Sequence, residues 1–282
     1  FSYSHTHLNL YKNLCLSLTM FKKYLIVASK QDPAGINITT NLSQFAHFNY
    51  MLVDGEVLDE KNLDQYRLSQ FDFIIFASRH KSEKSMKTLS LHAPGNLKEV
   101  WGGGQEGKLA PASALFNKQL FGNLKKFQKE YELKNYDVTL EVTHHGPLID
   151  KPCVFIEIGG SETEWKDKRA AFVIAKTITE TIENFKENPF NEVAIGIGGP
   201  HYAPGFNKLQ ENSNVAFAHI IPKYMQPITK EMILEAREKT LEEVDFAVID
   251  WKGLGKAEER QQVLDALDES YISYKKISEI KR

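Results

Sequence analysis

YDVTLEVTHHGPLIDKPCVFIEI, Tyr136 to Ile158, decides how the sheet is built. Two β-rich runs, Tyr136–Thr143 and Cys153–Ile158, are joined by residues 144–152 alone. Parallel neighbours need a crossover of roughly a dozen residues or more, and this connection is shorter. If adjacent, the two runs are antiparallel, so the sheet is mixed. The connection carries two neighbouring histidines against a Gly-Pro turn, in THHGP. Side chains of consecutive strand residues leave on opposite faces, which predicts unequal roles for His144 and His145.

Outward from this pair the chain alternates strand and helix patterns. Further strands are predicted at Tyr24–Ser29, Phe71–Ser78, Glu192–Ile197, Val215–Ile221, Asp245–Ile249 and Tyr271–Ile277, each rich in β-branched or aromatic residues between turn formers. Helical patterns fill Ser113–Lys134, Glu162–Lys186, Thr229–Thr240 and Lys256–Asp268. The alternation predicts an α/β fold with a mixed, largely parallel sheet flanked by helices. The sequence has no internal repeat, low-complexity tract or linker, so one domain is the simplest organisation.

Composition bounds the function. A chain of 282 residues buries one large core or two modest ones. Its 42% hydrophobic and 26% charged content is that of an ordinary globular protein. A net charge of −2 leaves no global field for nucleic acid, so a polyanionic partner must be met by a local patch. The two cysteines, Cys15 and Cys153, exclude a disulfide scaffold and suit a reducing cytosol. No apolar run is long enough to cross a bilayer. The first twenty residues lack a basic n-region and a small-residue cleavage site, which argues against a signal peptide. Met20 runs straight into the first strand. Residues 1–19 are therefore read as an N-terminal extension and 20–282 as a single α/β catalytic domain.

Three glycine stretches invite chemistry. GGGQEGKL, Gly102–Leu109, has P-loop spacing, but Leu109 stands where a hydroxyl must reach magnesium, so it is read as a flexible or lid loop. In EIGGSETEW, Glu157–Trp165, Ser161 and Glu164 form a capping box. Glu157 lies inside an apolar strand, where a carboxylate is paired, liganded or neutralised; a functional and a structural reading both stand. In GIGGPHYAPGF, Gly196–Phe206, Gly198 and Gly199 are candidate amide donors to a substrate oxyanion, with His201 just beyond.

Past the extension there are seven histidines, and most gather near strand ends: His80, His144, His145 and His201 follow strands, His219 lies late in its own strand, and His92 sits in LHAPGN just before a turn. Only His47 stands apart. Any single one is explained by packing, but in open α/β sheets the ligand crevice lies outside the carboxyl ends of the strands. Imidazole with carboxylate is what zinc takes when cysteine is absent. His80, His92, His145 and His201 are accordingly candidate zinc ligands, and His144 and Glu157 candidates for acid–base work. His219 is a candidate for substrate binding. If the two central runs form a hairpin, Glu157 lies at the far end from His145.

SRHKS (Ser78–Ser82), HAPGN (His92–Asn96), THHGP, EIGGSETEW and GIGGPHYAP together resemble the archaeal- and plant-type D-aminoacyl-tRNA deacylases. The resemblance begins with VASKQDPAGINI and runs from about Met20 to the C-terminus. It implies a monomeric, cytoplasmic, zinc-dependent hydrolase with a fold similar to phosphorylase and peptidyl-tRNA hydrolases. The reaction implied is cleavage of the ester between a D-amino acid and tRNA. For the tRNA, the segment Phe116–Lys134 offers a basic helix face, including Lys125 and Lys126, beside the alternative of a solvated amphipathic helix. Two rivals remain: another zinc-dependent hydrolase of aminopeptidase or amidase type, and a non-enzymatic RNA-binding protein.

Overall fold

A computed structural model of the chain describes residues 21–45, 47–81 and 85–281. The predicted extension, with His5, His7 and Cys15, lies outside the described residues. The strands are β1 (Tyr24–Ser29), β2 (Asn49–Val53), β3 (Phe73–Lys81), β4 (Thr88–His92), β5 (Gly95–Asn96), β6 (Lys108–Leu109), β7 (Asp137–Leu140), β8 (Cys153–Gly160), β9 (Glu192–Ile197), β10 (Val215–Ile221), β11 (Phe246–Ile249) and β12 (Tyr274–Lys276). The α-helices are α1 (Pro33–Leu42), α2 (Gln65–Ser69), α3 (Ala114–Glu130), α4 (Glu162–Trp165), α5 (Lys168–Asn184), α6 (Pro204–Asn212), α7 (Lys230–Glu238) and α8 (Ala257–Glu269). Among the described residues, no helix is long and apolar enough to cross a membrane.

The fold is the mixed, largely parallel α/β arrangement that the alternation predicts, but the strands fall into two main sheets. One has the order β2-β1-β3-β8-β4-β7 and the other β10-β9-β11-β12, all parallel. In the first sheet every neighbouring pair is parallel except β8 with β4. The two runs that opened the sequence reading do point in opposite directions, yet they are not neighbours. β4 lies between them, parallel to β7 and antiparallel to β8. Its sequence, TLSLH, is short and half polar. Leu89 and Leu91 face the main core while Ser90 and His92 face the other side, so it carries no strong strand signal.

A buried apolar cluster joins the two sheets. It runs from Phe21 and Phe73 through Phe116 and Leu120 of α3 to Phe217 and Val248. Phe73 and Phe116 meet with ring centroids 4.3 Å apart, and burying each such ring contributes roughly 2 kcal/mol. Ser113 caps α3 by accepting from Phe116 N at 3.0 Å. Glu242 accepts from Ala114 N and Leu115 N at 2.9 and 3.1 Å, placing negative charge at the positive helix end. The single helix predicted over 162–186 is broken at Lys166. Asp167 starts α5 by accepting from Arg169 N at 2.8 Å and Ala170 N at 3.3 Å.

Strand alternation places the site. On β8, Val154, Ile156 and Ile158 enter the main cluster, while Cys153 and Phe155 enter a smaller one on the opposite face with Leu25, Val27 and Phe76. Glu157 follows Cys153 and Phe155 at intervals of two, so its carboxylate rises on that second face. Ser78 on β3 and Ser90 on β4 flank it in register.

Candidate metal centre

Glu157 is the floor of a cluster that gathers residues from four segments. His80 sits level with Gly159, and His92 sits level with Phe155. The two rings therefore approach Glu157 from opposite directions along the sheet. This corrects the expectation of a crevice outside the carboxyl strand ends, because β4 is antiparallel to β3 and their ends point opposite ways. It also removes the hairpin objection to Glu157. With β4 interposed, Glu157 Oε2 lies 3.5 Å from His80 Nδ1 and 3.6 Å from His92 Nε2.

The segment after β7 closes over these groups. β7 ends at Leu140, and His145 takes φ 44°, a left-handed conformation, so the strand alternation expected of THHGP is gone. Both rings turn the same way, with centroids 4.3 Å apart. A Cβ on Gly146 would lie 2.6 Å from the carbonyl carbon of Gly103, so only glycine fits where these two chain segments touch. Glu141, which the sequence reading passed over, reaches three histidines. Its Oε2 is 3.2 Å from His80 Nδ1, 3.1 Å from His201 Nε2 and 3.6 Å from His144 Nε2.

The tautomers follow from the carbonyls. His92, His144 and His145 each place Nδ1 against a backbone carbonyl, at 3.2, 2.8 and 2.6 Å. A carbonyl only accepts, so Nδ1 carries the hydrogen and Nε2 presents its lone pair. Ligand nitrogens of these three rings lie within 4.8 Å of one another. His92, Glu141 and Glu157 form a second such group, and His80, Glu141, His144 and His201 a third. His92 Nε2, Glu141 Oε1 and Glu157 Oε2 are buried without a hydrogen-bond partner. Leaving such groups unsatisfied is costly, and convergent imidazole and carboxylate donors are the set a zinc ion takes. The residues fit the ion.

The electrostatics agree. Burial would raise both carboxyls, but the neighbouring His201 and His80 hold Glu141 well below its usual range, and His80 and His92 bring Glu157 to about 2. Burial lowers His80, yet its contacts with Glu141 and Glu157 carry it up to about 11. Burial, then repulsion from neighbouring rings, lowers His144 far below the usual value and His145 to about 4. Two ionised carboxylates thus share the site with the His80 imidazolium and the neutral His144 and His145 rings, a setting that favours a bound cation.

Two cavities open on this cluster and share His144, His201 and Trp101 in their walls. The larger, about 930 Å³, also meets His80, Tyr202 and Lys208. The smaller, about 560 Å³, meets Asn96, His145 and Tyr224. His201 is the accessible ring, with its side chain 32% exposed against 9% for His144 and 0% for His92. Tyr202 places its hydroxyl 3.2 Å from His80 Nε2.

Other expected residues stand elsewhere. Gly198 N already donates to Ile221 O at 2.8 Å, and a Cβ on Gly198 would meet Asp250 O at 3.2 Å. Gly198 and Gly199 pack on the Asp250 turn and line neither cavity, so they are not the oxyanion donors expected. Lys125 does line the larger cavity, tied to Glu211 at 3.3 Å. Lys126 does not; its ammonium lies 4.9 Å over the Phe127 ring. Lys118 is consumed by the carbonyls of Gln210, Ser213 and Val215 at 2.8–2.9 Å. Gly102–Gly104 are pinned rather than a flexible lid, with Gly104 N donating to Glu60 at 2.9 Å.

His219 is fully buried and lines neither cavity, which removes it from substrate binding. Its Nδ1 lies 3.2 Å from Thr143 Oγ1, behind the cluster. Burial lowers it to about 4. The unfolded chain therefore takes up a proton that the folded chain refuses, and stability falls as pH drops from about 6.5 towards 4. His219→Gln is expected to shrink that loss by on the order of 3 kcal/mol. Urea unfolding near neutral and near acid pH checks this, and an unchanged loss would assign the acid sensitivity to other groups.

A model of the D-aminoacyl-tRNA deacylase family matches residues 68–275 of the chain. A D-aminoacyl-tRNA deacylase of Methanocaldococcus jannaschii is 34% identical over 264 residues, covering 90% of this chain and 100% of that protein. One from Thermococcus onnurineus is 37% identical over 273 residues, covering 89% and 98%. The crystal structure of a conserved protein of unknown function superimposes with a TM-score of 0.83 at 30% identity, covering 92% of this chain and 96% of that one.

Proposed function

We propose that this chain, which belongs to the D-aminoacyl-tRNA deacylase family, hydrolyses the ester joining a D-amino acid to the end of tRNA. Water is added across the acyl C–O bond, and the products are the free D-amino acid and reusable tRNA. The observation that carries this reading is the convergence of five histidines and two buried carboxylates where two cavities meet.

Zinc is the cofactor we assign to the cluster, held by Nε2 of His92, His144 and His145 with Glu141 and Glu157 as carboxylate partners. When bound it would polarise the ester carbonyl and lower the pKa of a water molecule. His201 is accessible and has Nε2 3.1 Å from Glu141, so it moves the proton. It accepts the proton as water adds to the acyl carbon and returns it to the ribose oxygen as the C–O bond breaks. Glu141 orients the ring and stabilises the imidazolium that forms. The exposure pattern therefore exchanges the roles first given to His144 and His201. Glu157, fixed by Ser78 at 2.6 Å and fully surrounded, is a ligand rather than a base. We place the enzyme as a monomer in the cytoplasm, where charged tRNA is found.

An amidase-like zinc hydrolase and a non-enzymatic RNA-binding protein are not favoured, since named deacylases match across about nine-tenths of this chain. The test is deacylation of D-tyrosyl-tRNA against L-tyrosyl-tRNA with the enzyme at catalytic concentration. Rapid loss of the D-ester with the L-ester spared is expected. Inertness toward both, with turnover of an amino-acid amide, would replace this reading with the amidase.

A further inference from the structure

Trp101 is an exposed aromatic ring on an immobilised backbone, and it stands in the wall common to both cavities. The Trp101 backbone amide donates to Asn96 Oδ1 at 2.9 Å, and its backbone carbonyl accepts from Gly146 N at 3.2 Å. The next residues, Gly102 to Gly104, run at φ 62°, 85° and 90°, and Asn96 Nδ2 donates to Gly103 O at 2.7 Å. This positive-φ run folds the chain tightly against Leu58–Glu60 and leaves the loop little freedom. The indole nonetheless remains 61% exposed, with Val100 beside it at 51%. Its plane is 22° from that of His144 at 6.1 Å between centroids, so one face turns to the reacting cluster.

The two cavities differ in charge. The larger carries Lys81, Lys125 and Lys208, of which only Lys125 is in an ion pair among the described residues. Its two carboxylates are Asp137 and Glu211, and Glu211 is already shared by Lys125 and Lys129 at 3.3 and 3.4 Å. In the smaller cavity Lys98 is spent on the Gln226 carbonyl, and Glu99 adds negative charge. At about 930 Å³ the larger cavity is of the size that holds a small organic ligand.

We propose that the larger cavity is the subsite for the terminal adenosine 5′-phosphate unit of tRNA, with Trp101 as the platform on which the adenine stacks and Lys208 as a phosphate contact. The aminoacyl group then turns into the smaller cavity across the histidines. This rests on the deacylase reading and deepens it. A rigid, preset ring stacks on a base without an ordering cost, and every base offers a π-face to it.

Calorimetric titration with AMP, on the whole protein, tests the subsite without requiring turnover. Wild type binds AMP, and Trp101→Ala weakens that affinity about 10- to 100-fold, the scale of one base-on-aromatic stack, while Trp101→Phe largely restores it. Lys208→Ala weakens AMP more than adenosine. In kinetics, Trp101→Ala lowers the ratio of kcat/KM on D-tyrosyl-tRNA to kcat/KM on D-tyrosine methyl ester by a similar factor. AMP affinity unchanged by Trp101→Ala, or no AMP binding at all, overturns the proposal. So does an equal fall on both substrates, which would put Trp101 against the amino acid. If wild type hydrolyses neither substrate, the deacylase reading fails, and the AMP titration alone decides the subsite.

Discussion

Glu141→Gln lowers kcat for D-tyrosyl-tRNA by about 10³-fold or more, the scale of losing a positioned acid–base or electrostatic partner. The substitution keeps the shape of the side chain and removes the charge that faces His80, His144 and His201. Without it, His201 loses the carboxylate that orients it, and the cluster loses half of its buried negative charge. Zinc retention falls in the same variant, because a neutral amide is a far poorer ligand than a carboxylate. The fold survives with some loss of stability, since glutamine fills the same volume and His80 keeps Glu157 as its second carboxylate partner. Steady-state kinetics with metal analysis and circular dichroism check the three statements together. Near wild-type kcat with full zinc would remove Glu141 from the centre.

His201→Ala and His144→Ala part company. His201 is partly exposed, packs beside the His80 and His144 rings and stands outside the set assigned to zinc, so its loss leaves zinc content unchanged and lowers kcat roughly 10²- to 10⁴-fold. His144 is buried, with Nδ1 fixed by Val142 O and Nε2 turned inward, so its loss releases the metal as well. A His201 variant that loses zinc would return it to the ligand set, where the sequence reading first placed it.

The sequence made the alternation of elements legible because apolar β-rich runs such as VAFAHII and EVAIGI carry strong local signals. It hid β4, whose five residues alternate between two faces that are both buried, one of them polar. Missing β4 produced the hairpin that seemed to separate Glu157 from His145. Strand-end histidines were visible as a pattern and do converge, but on the sheet face above Glu157 rather than beyond the strand ends. Glu141 carries the same sequence signal as Glu157, a carboxylate inside an apolar run. Gly198, Gly199 and His219 misled because sequence gives the neighbourhood of a residue without the direction it faces. Trp101 could not be weighed at all, since its place between two cavities exists only after distant segments meet.

The most direct measurement is single-turnover deacylation of D-tyrosyl-tRNA by protein stripped with a chelator, before and after stoichiometric zinc is returned. Zinc-dependent chiral hydrolysis predicts loss of activity on stripping, recovery that saturates with the bound metal, and an L-tyrosyl ester that stays intact throughout. Stripped protein that retains full activity would contradict it, for the histidine and carboxylate cluster would then have no ion to hold.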